Sequence, residues 1–254
     1  MQENYSRSYP ELWRRHWWWR VRHGLVLQVV DRCLRSAQIP TTPQLLDIGC
    51  VGGLAFDALS HFGDVYGIEP DPLLVDSCPR WRDRIEMTKF GREYNSPRKY
   101  DLVLLLDVLE HIEDDHGAIA DIWNLLNPGG QLVLTVPALM SLWSVHDEVN
   151  LHYRRYSGQR LRKVLTEQGF EIVVMNYCFT WPLGLMYLRK LLLGRKPRPN
   201  QDYSVRIPPW PINALFFGLS RFEQWLMHRG VRLPIGSSLL AVARRPNLAQ
   251  TKLT

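Results

Sequence analysis

Three glycines near residue 50 form a loop that could hold a small ligand. Gly49, Gly52 and Gly53 directly follow the apolar run Gln44–Ile48. Glycine permits backbone conformations and close approaches that a β-carbon would forbid, and the free N–H groups at the start of a following helix would point into the same space. We therefore predict a strand, a ligand-binding turn and a helix here. A turn that merely needs glycine would give the same pattern.

The order of the glycines narrows the choice of ligand. Gly-x-x-Gly-Gly is neither the Gly-x-Gly-x-x-Gly of dinucleotide-binding proteins nor the Gly-Lys-Ser/Thr ending of a phosphate-binding P-loop. Glu69 ends the next apolar segment, 22 residues after Asp47, and an acid at that strand tip can accept both ribose hydroxyls of an adenosine ligand. These residues predict an adenosine cofactor. A surface carboxylate at a strand end is the plainer alternative for Glu69.

Histidines and arginines in residues 137–156 could supply the chemistry. A histidine can remove the proton of a hydroxyl group, and arginines can anchor a phosphate. The candidate residues are His111, His146 and His152 for catalysis, and Trp143, Arg154, Arg155 and Tyr156 for the substrate. The same side chains could instead form a buried polar network that fastens the loop, and His111 could simply pack at a helix start.

The elements that must position these residues follow from the alternation of apolar runs and turns. Residues 100–112 form an apolar run closed by polar residues, which is typical of a strand buried on both faces and its exit. We then predict a helix over 115–126, a turn over 127–130, a strand over 131–137 and a helix capped by Ser157. The segment 137–156 therefore leaves the sheet at the edge where ligands of open α/β sheets bind.

The order of segments over residues 44–177 resembles the class I S-adenosylmethionine (SAM)-dependent methyltransferases, in particular small-molecule and cell-envelope-associated bacterial members. Asp47-x-Gly49-x-x-Gly52-Gly53 is similar to their first motif, with Val51 where the middle glycine is usual, and residues 107–112 match a segment common in small-molecule members. The resemblance implies SAM as the cofactor and S-adenosylhomocysteine as the product. It implies these cofactor-binding residues: Asp47, Gly49, Cys50, Gly52, Gly53, Glu69, Asp107 and Val108.

Two details of the predicted site differ from many relatives. Residues 87–90, Met-Thr-Lys-Phe, replace the acid that contacts the adenine amine in many members, so no adenine contact is assigned. We predict no metal, because Glu110 and His111 alone are too small a ligand set. Some ubiquinone-pathway methyltransferases with a similar segment use a divalent ion.

The resemblance implies an α/β fold: a Rossmann-like sheet of seven mostly parallel strands with an antiparallel last strand, helices on both faces, and a helical insertion between strands 6 and 7. Residues 170–177 and 237–244 suit these two strands. The chain would then comprise an N-terminal aromatic and basic helical cap (1–40), a SAM-binding core (41–177 and 237–246) and a basic amphipathic insertion (178–236).

Charge is unevenly distributed along the chain. Residues 45–150 contain 7 basic and 18 acidic side chains, whereas residues 178–254 contain 12 and 2. Because the basic part is also rich in aromatic residues, it favours an anionic membrane surface over nucleic acid. No Asn/Asp-Pro-Pro-Tyr/Phe motif, as in nucleic-acid methyltransferases, follows strand 4. Four cysteines without metal-ligand spacing, and no signal peptide, predict the reducing cytoplasm.

The insertion is predicted to hold two helices, Leu183–Leu193 and residues 211–229. The second has an apolar stripe at helical spacing, formed by Ile212, Leu215, Phe216, Leu219, Phe222 and Leu226. Neither reaches the roughly 18 to 20 apolar residues of a transmembrane helix. The pair could be a lid or docking surface for an apolar substrate, or could lie on a membrane surface. It could also pack on the protein's own core or on a second subunit of a homodimer.

The N-terminal segment contains three successive tryptophans among arginines. Three neighbours cannot all face one helix stripe, so at least one should project outward or into a pocket. Trp18 and Arg20 are the predicted substrate contacts, because tryptophan and arginine can hold sugar-bearing and anionic groups. The alternative is an aromatic brace for the core.

The sequence thus predicts a SAM-dependent methyltransferase that moves a methyl group to an oxygen of a hydrophobic, lipid-linked or glycan-type small molecule, in the cytoplasm or on the inner face of the membrane. The alternative is a non-catalytic SAM-binding partner that anchors an assembly through the basic insertion. Val51 and the missing adenine acid favour that alternative. A nicotinamide oxidoreductase is disfavoured by the order of the glycines.

Overall fold

The computed structural model describes residues 3–36, 40–91, 94, 96–193 and 205–247. The remaining parts of the predicted cap and insertion, including residues 194–204, lie outside the described residues.

A single sheet of seven strands organises the described chain. Its order is β3-β2-β1-β4-β5-β7-β6, and β7 pairs antiparallel with both β5 and β6 while the neighbours on the other side pair in parallel. The strands are β1 (Gln44–Ile48), β2 (Asp64–Ile68), β3 (Ile85–Glu86), β4 (Tyr100–Leu106), β5 (Leu126–Pro137), β6 (Glu171–Cys178) and β7 (Ser238–Arg244). The predicted fold class, with its antiparallel last strand, is confirmed.

Helices cover both faces of the sheet. They are α1 (Glu3–Arg15), α2 (Trp17–Ser36), α3 (Phe56–Leu59), α4 (Pro72–Asp76), α5 (Asp115–Leu125), α6 (Val145–Val149), α7 (Gly158–Glu167), α8 (Leu183–Leu193) and α9 (Trp210–His228). One core lies between the sheet and α5 with α7, and the other between the sheet and α2 with α3. Because both faces are covered, β1 and β4 are buried along almost their whole length.

Several predicted boundaries agree with the structure to within a residue. This holds for α5, α8, α9 and the Ser157 cap of α7, whose hydroxyl accepts a hydrogen bond from the Arg160 N–H. The turn predicted over 127–130 is instead part of the 12-residue β5, whose pairing with β4 is irregular at that end.

The element that follows the glycine loop differs from the prediction. A single 3-10 turn, Val51–Gly53, and the one-turn helix α3 stand where a full helix was expected. Local glycine content explains this, since Gly52 has a left-handed φ of 67° that a continuous α-helix cannot contain.

The N-terminal cap and the insertion, which are far apart in sequence, pack against each other. The Trp17 N–H donates to the Asn213 side chain at 2.9 Å, and the Gln224 amide donates to the Val21 carbonyl at 2.7 Å. These bonds join α2 to α9. Among the described helices, none has the length and apolar content that crossing a membrane requires.

Candidate functional site

A large cavity opens at the carboxyl edge of the parallel strands. Its volume is about 1450 Å³, and its wall runs from the glycine loop after β1, past the ends of β2 and β4, to the loop after β5 and helix α8. Ligand pockets commonly have volumes of about 300–1,000 Å³. The cavity is therefore large enough for a cofactor and a second molecule.

The glycine loop forms the inner wall of this cavity. Gly49 has a φ of 74°, and a β-carbon there would come within 2.6 Å of the Val108 side chain. At Gly52 a β-carbon would lie 2.0 Å from the Leu74 carbonyl oxygen. Val51, at the position where relatives usually have glycine, itself adopts a left-handed φ of 49°. A β-branched residue thus occupies a backbone conformation that normally favours glycine.

Glu69 fastens this loop and faces the cavity. Its two carboxylate oxygens accept the backbone N–H groups of Val51 at 2.8 Å and Asp71 at 3.0 Å. Burial raises the pKa of Glu69, and the two backbone hydrogen bonds only partly offset this. Because each carboxylate oxygen has a second lone pair, Glu69 can still accept hydroxyl groups from a ligand.

The predicted cofactor residues divide into three groups. Gly49, Glu69, Asp107 and Val108 line the large cavity, whereas Asp47 and Cys50 line a smaller pocket behind the glycine loop. Gly52 and Gly53 line neither of these two cavities. Burial raises the pKa of Asp47 to about 7, which the Arg22 charge only partly counteracts.

Arg22 is a site residue that the sequence analysis missed. Its guanidinium lies 2.9 Å from the Asp107 carboxylate and donates to the Thr135 hydroxyl at 2.9 Å, while that hydroxyl donates to Asp107 at 2.9 Å. Asp107 has a left-handed φ of 55° that directs it into this cluster. The only signal in the sequence was the arginine-rich start of α2, where the prediction chose Arg20. Arg20 is exposed and stacks on Phe217 instead.

The loop after β5 holds a histidine against a buried carboxylate. The His152 Nδ1 atom lies 3.0 Å from Asp147 Oδ1, and Arg155 binds both carboxylate oxygens of Asp147 at 2.7 and 2.9 Å. Burial alone would raise the pKa of Asp147, but the hydrogen bonds from His152 and Arg155 hold it well below its usual range. Asp147 is therefore ionised and fixes His152 so that Nε2 is its free ring nitrogen.

Glu110 and His111 meet His152 at the cavity wall. One ligand-type atom from each of the three lies within 4.8 Å of the others. The Glu110 Oε2 atom is buried with no hydrogen-bond partner in the described structure, and burial and the nearby Asp107 raise its pKa well above the usual value. Burial and then His152 lower the pKa of His111 to about 4, so this ring is neutral.

These three residues could hold a divalent cation. Neutral imidazole and carboxylate are suitable ligands, and a carboxylate bonded to the second nitrogen of a ligating histidine is the usual supporting arrangement. Neighbouring positions in the sequence suggested only Glu110 and His111, because His152 is distant in sequence and only the fold brings it to them.

Three predicted substrate residues are engaged inside the protein. Arg154 donates to the carbonyl oxygens of Ile112 and Glu113, Tyr156 is fully buried and donates to Asp115 at 2.9 Å, and Arg155 is held by Asp147. Arg154 and Tyr156 do not line the cavity. For these residues the structure supports the alternative of a polar network that fastens the loop.

Aromatic and apolar side chains close the cavity around the polar groups. Trp18 lies in its wall with the Arg22 guanidinium 5.1 Å from its ring, and Trp143 lines the wall on the side of the loop after β5. Helix α8 contributes Leu185 and Met186 together with the basic pair at positions 189 and 190. All three candidate histidines line this one cavity, as do the Lys89 and Phe90 side chains from the segment that lacks the family's acid.

The family model described as "Methyltransferase domain" matches residues 8–174, about two thirds of the chain. The match includes α2, the glycine loop, Glu69 and the loop after β5 that carries His152, and it ends before the insertion.

Curated relatives match a shorter part of the chain. The ubiquinone biosynthesis O-methyltransferase of Aeromonas salmonicida is 30% identical over 100 residues, which are 36% of this chain and 42% of that protein. The mitochondrial enzyme of the same name from Schizosaccharomyces pombe is 25% identical over 118 residues, 43% of each. The chain thus aligns with less than half the length of these relatives.

Solved structures share the fold over nearly the whole chain. A chain of the complex between the Haloferax volcanii Trm112 methyltransferase activator and a putative methyltransferase superposes with a TM-score of 0.56 at 15% identity, covering 94% of this chain and 93% of its own. The N-methyltransferase NodS from Bradyrhizobium japonicum in complex with S-adenosylhomocysteine gives 0.52 at 17% identity, covering 90% and 87%. At these identities the likeness concerns the fold.

Proposed function

The chain belongs to this methyltransferase domain family, and from that premise we propose that it transfers the methyl group of SAM to an oxygen atom of a hydrophobic, lipid-linked or glycan-type small molecule. The observation that carries the proposal is the single cavity that joins the glycine loop and Glu69 to the Asp147–His152 pair and to the apolar wall of α8. Cofactor and acceptor can therefore meet in one space whose wall includes several tryptophans.

The residues at the inner end of the cavity fit the cofactor. Glu69 would accept the ribose hydroxyls, and the glycine loop with Val108 would pack against the adenosine. Arg22 and Asp107 present opposite charges in the cavity wall, which suits the carboxylate and ammonium groups of the amino-acid part. When bound, SAM supplies an activated sulfonium methyl group, so the chain's own residues chiefly align the acceptor and manage one proton.

His152 is the base in this proposal. Asp147 accepts the hydrogen of Nδ1 and leaves Nε2 to take the proton of an acceptor hydroxyl as the methyl group moves. Arg155 keeps Asp147 ionised by binding both of its oxygens. His111 is neutral beside it, with the two ring centroids 4.6 Å apart, so it does not repel the imidazolium that forms.

The chemistry of the cavity wall limits the acceptor. Leu142, Trp143, Leu185 and Met186 favour an apolar body, and Arg189 and Lys190 at the α8 end favour an anionic group such as a phosphate. The relatives' printed name, ubiquinone biosynthesis O-methyltransferase, supports oxygen as the acceptor atom. Under this proposal the enzyme works in the cytoplasm and meets its acceptor in that compartment.

The experiment is a turnover assay that follows S-adenosylhomocysteine formation with a panel of prenylated phenols and polyprenyl-phosphate-linked saccharides. His152→Gln should reduce kcat by about 100- to 10,000-fold, the range that general base catalysis contributes. His116→Gln, at a half-exposed histidine of α5 that pairs with Glu167, is the matched control and should retain activity. His111→Gln and His146→Gln then rank the other two candidates.

Three outcomes decide between readings of the site. A loss confined to His152→Gln, with unchanged S-adenosylhomocysteine affinity, supports the base. If a chelator abolishes activity and Mg²⁺ or Zn²⁺ restores it, the hydroxyl is instead activated by a cation that Glu110, His111 and His152 hold. Tight S-adenosylhomocysteine binding without turnover on any acceptor would favour the non-catalytic partner instead.

A further inference from the structure

Helix α9 is turned so that its polar side chains are buried. Ser220, Glu223 and Gln224 are its buried residues. The Ser220 hydroxyl accepts a hydrogen bond from the Trp181 ring nitrogen at 2.9 Å, and the Gln224 amide bonds α2. Glu223 accepts the backbone N–H groups of Phe179 and Thr180 where the chain leaves β6. These bonds hold the polar face inward, because breaking them would leave buried groups unsatisfied.

The apolar face of α9 consequently points outward. The predicted stripe was expected to pack on the core, on a second subunit or on a membrane, and the described residues do not cover most of it. Leu215 and Phe222 are 58% and 59% exposed, and Trp225 is 48% exposed. Leu219 lies between them at 40%. A helix of a water-soluble protein normally directs such a stripe toward its core, so this face needs a partner.

The charges around this face indicate which partner fits. The only carboxylate in α9 is the buried Glu223, so no acidic side chain stands on the exposed face. Arg229 lies against the Trp225 ring, with its guanidinium carbon 4.9 Å from the ring centroid, and Arg221 and Arg232 are also exposed. A second copy of the chain would bring two such basic surfaces together. An anionic surface is complementary to them.

We propose that the exposed face of α9, formed by Leu215, Leu219, Phe222 and Trp225, docks the protein onto an anionic lipid bilayer. The apolar side chains enter the boundary between headgroups and acyl chains, Trp225 lies at headgroup depth, and the arginines contact lipid phosphates. The helix lies in the plane of the surface and does not span it. The inference concerns where the protein works, and it holds whether or not the methyl acceptor is itself a lipid.

Vesicle flotation tests this surface. The full-length protein is mixed with vesicles of phosphatidylcholine alone, or of phosphatidylcholine with phosphatidylglycerol, at low and high salt. We expect binding to the anionic vesicles that weakens but persists at high salt, because apolar insertion is not screened. The double variant Leu219→Glu, Phe222→Glu should lower the partition coefficient about 100-fold or more.

The matched control places the same change on another exposed apolar pair. Val173 and Val174 on the edge strand β6 are 52% and 43% exposed, so Val173→Glu, Val174→Glu alters charge and exposed apolar area similarly and should leave vesicle binding unchanged. Unaltered calorimetric affinity for S-adenosylhomocysteine in both double variants shows that the fold and the cofactor site are intact.

Three results would refute the proposal that α9 binds the bilayer. The two double variants could bind anionic vesicles equally well, the wild-type protein could bind neutral and anionic vesicles equally well, or the wild-type protein could bind no vesicles. If the wild-type protein binds no vesicles but sediments as a dimer, and the α9 double variant sediments as a monomer, the exposed face binds a second copy of the chain instead. None of these results depends on methyl transfer, so failure here is distinct from failure of the proposed reaction.

Discussion

Replacing Asp47 by asparagine should stabilise the protein increasingly as the pH rises. Asp47 is buried behind the glycine loop, and burial raises its pKa to about 7, with the Arg22 charge only partly opposing this. An unfolded aspartate has a pKa of about 3.9. Between pH values of about 3.9 and 7, the folded state therefore keeps a proton on Asp47 that the unfolded state has released. The stability that the neutral carboxyl contributes is lost as the pH rises through about 7.

The size of the effect follows from the pKa difference. At about 1.36 kcal/mol per unit, ionisable Asp47 costs the folded state about 1.5 kcal/mol at about pH 5 and about 4 kcal/mol at about pH 8.5. Asparagine cannot ionise. The free energy of unfolding of Asp47→Asn minus that of wild type should therefore be larger by about 2.5 kcal/mol at the higher pH than at the lower one. Any fixed cost of the amide cancels in this difference.

Urea denaturation at both pH values measures the effect directly. Asp31→Asn, at a half-exposed residue of α2, controls for the loss of one negative charge. If the difference between Asp47→Asn and wild type were the same at both pH values, or grew toward low pH, Asp47 would not be a buried carboxyl with a raised pKa. The described packing of α2 against the glycine loop would then be refuted.

Two further predictions concern the same loop. Gly52→Ala should destabilise the protein by about 2–5 kcal/mol in thermal or urea unfolding, since its β-carbon would meet the Leu74 carbonyl at 2.0 Å and its φ is positive. The control Gly218→Ala, in open space on α9, should instead stabilise the protein by about 0.5–1 kcal/mol. Equal effects of the two substitutions would contradict the geometry. Glu69→Gln should weaken S-adenosylhomocysteine binding by about 10- to 100-fold in calorimetry, because an amide cannot replace the charge-assisted bonds to the ribose. Glu86→Gln on β3 is its control, and a similar loss there would remove the assigned role of Glu69.

Local patterns were sufficient for most of the sheet and for its ligand edge. The apolar runs at β1, β2 and β4 and the spacing from the glycine loop to Glu69 are features of short segments, so the sequence predicted them correctly. Ser157 marked the start of α7 for the same reason, since a cap depends on a few neighbouring residues. The short helix after Gly53 was missed because three successive residues with a left-handed φ, Val51, Gly52 and Gly53, also interrupt a helix.

Contacts between distant segments decided the chemistry of the site. The sequence predicted His152 as a base and Arg155 as a phosphate anchor. In the folded loop both side chains bind Asp147, which orients His152 and occupies Arg155. Arg22 enters the site from α2, 85 residues before its partner Asp107. No spacing rule connects such positions, because the sheet and not the local chain brings them together.

Helix α9 shows most clearly which features the sequence determines and which the tertiary structure determines. The sequence by itself determined that residues 211–229 form a helix with one apolar and one polar face, since helical periodicity is a local property. Only the tertiary structure decided which face is inside: Glu223 and Gln224 meet backbone groups at the exit of β6 and on α2, which are 44 and 203 residues away. The outward direction of the apolar stripe follows from those buried hydrogen bonds, because the polar side chains that make them must face the core.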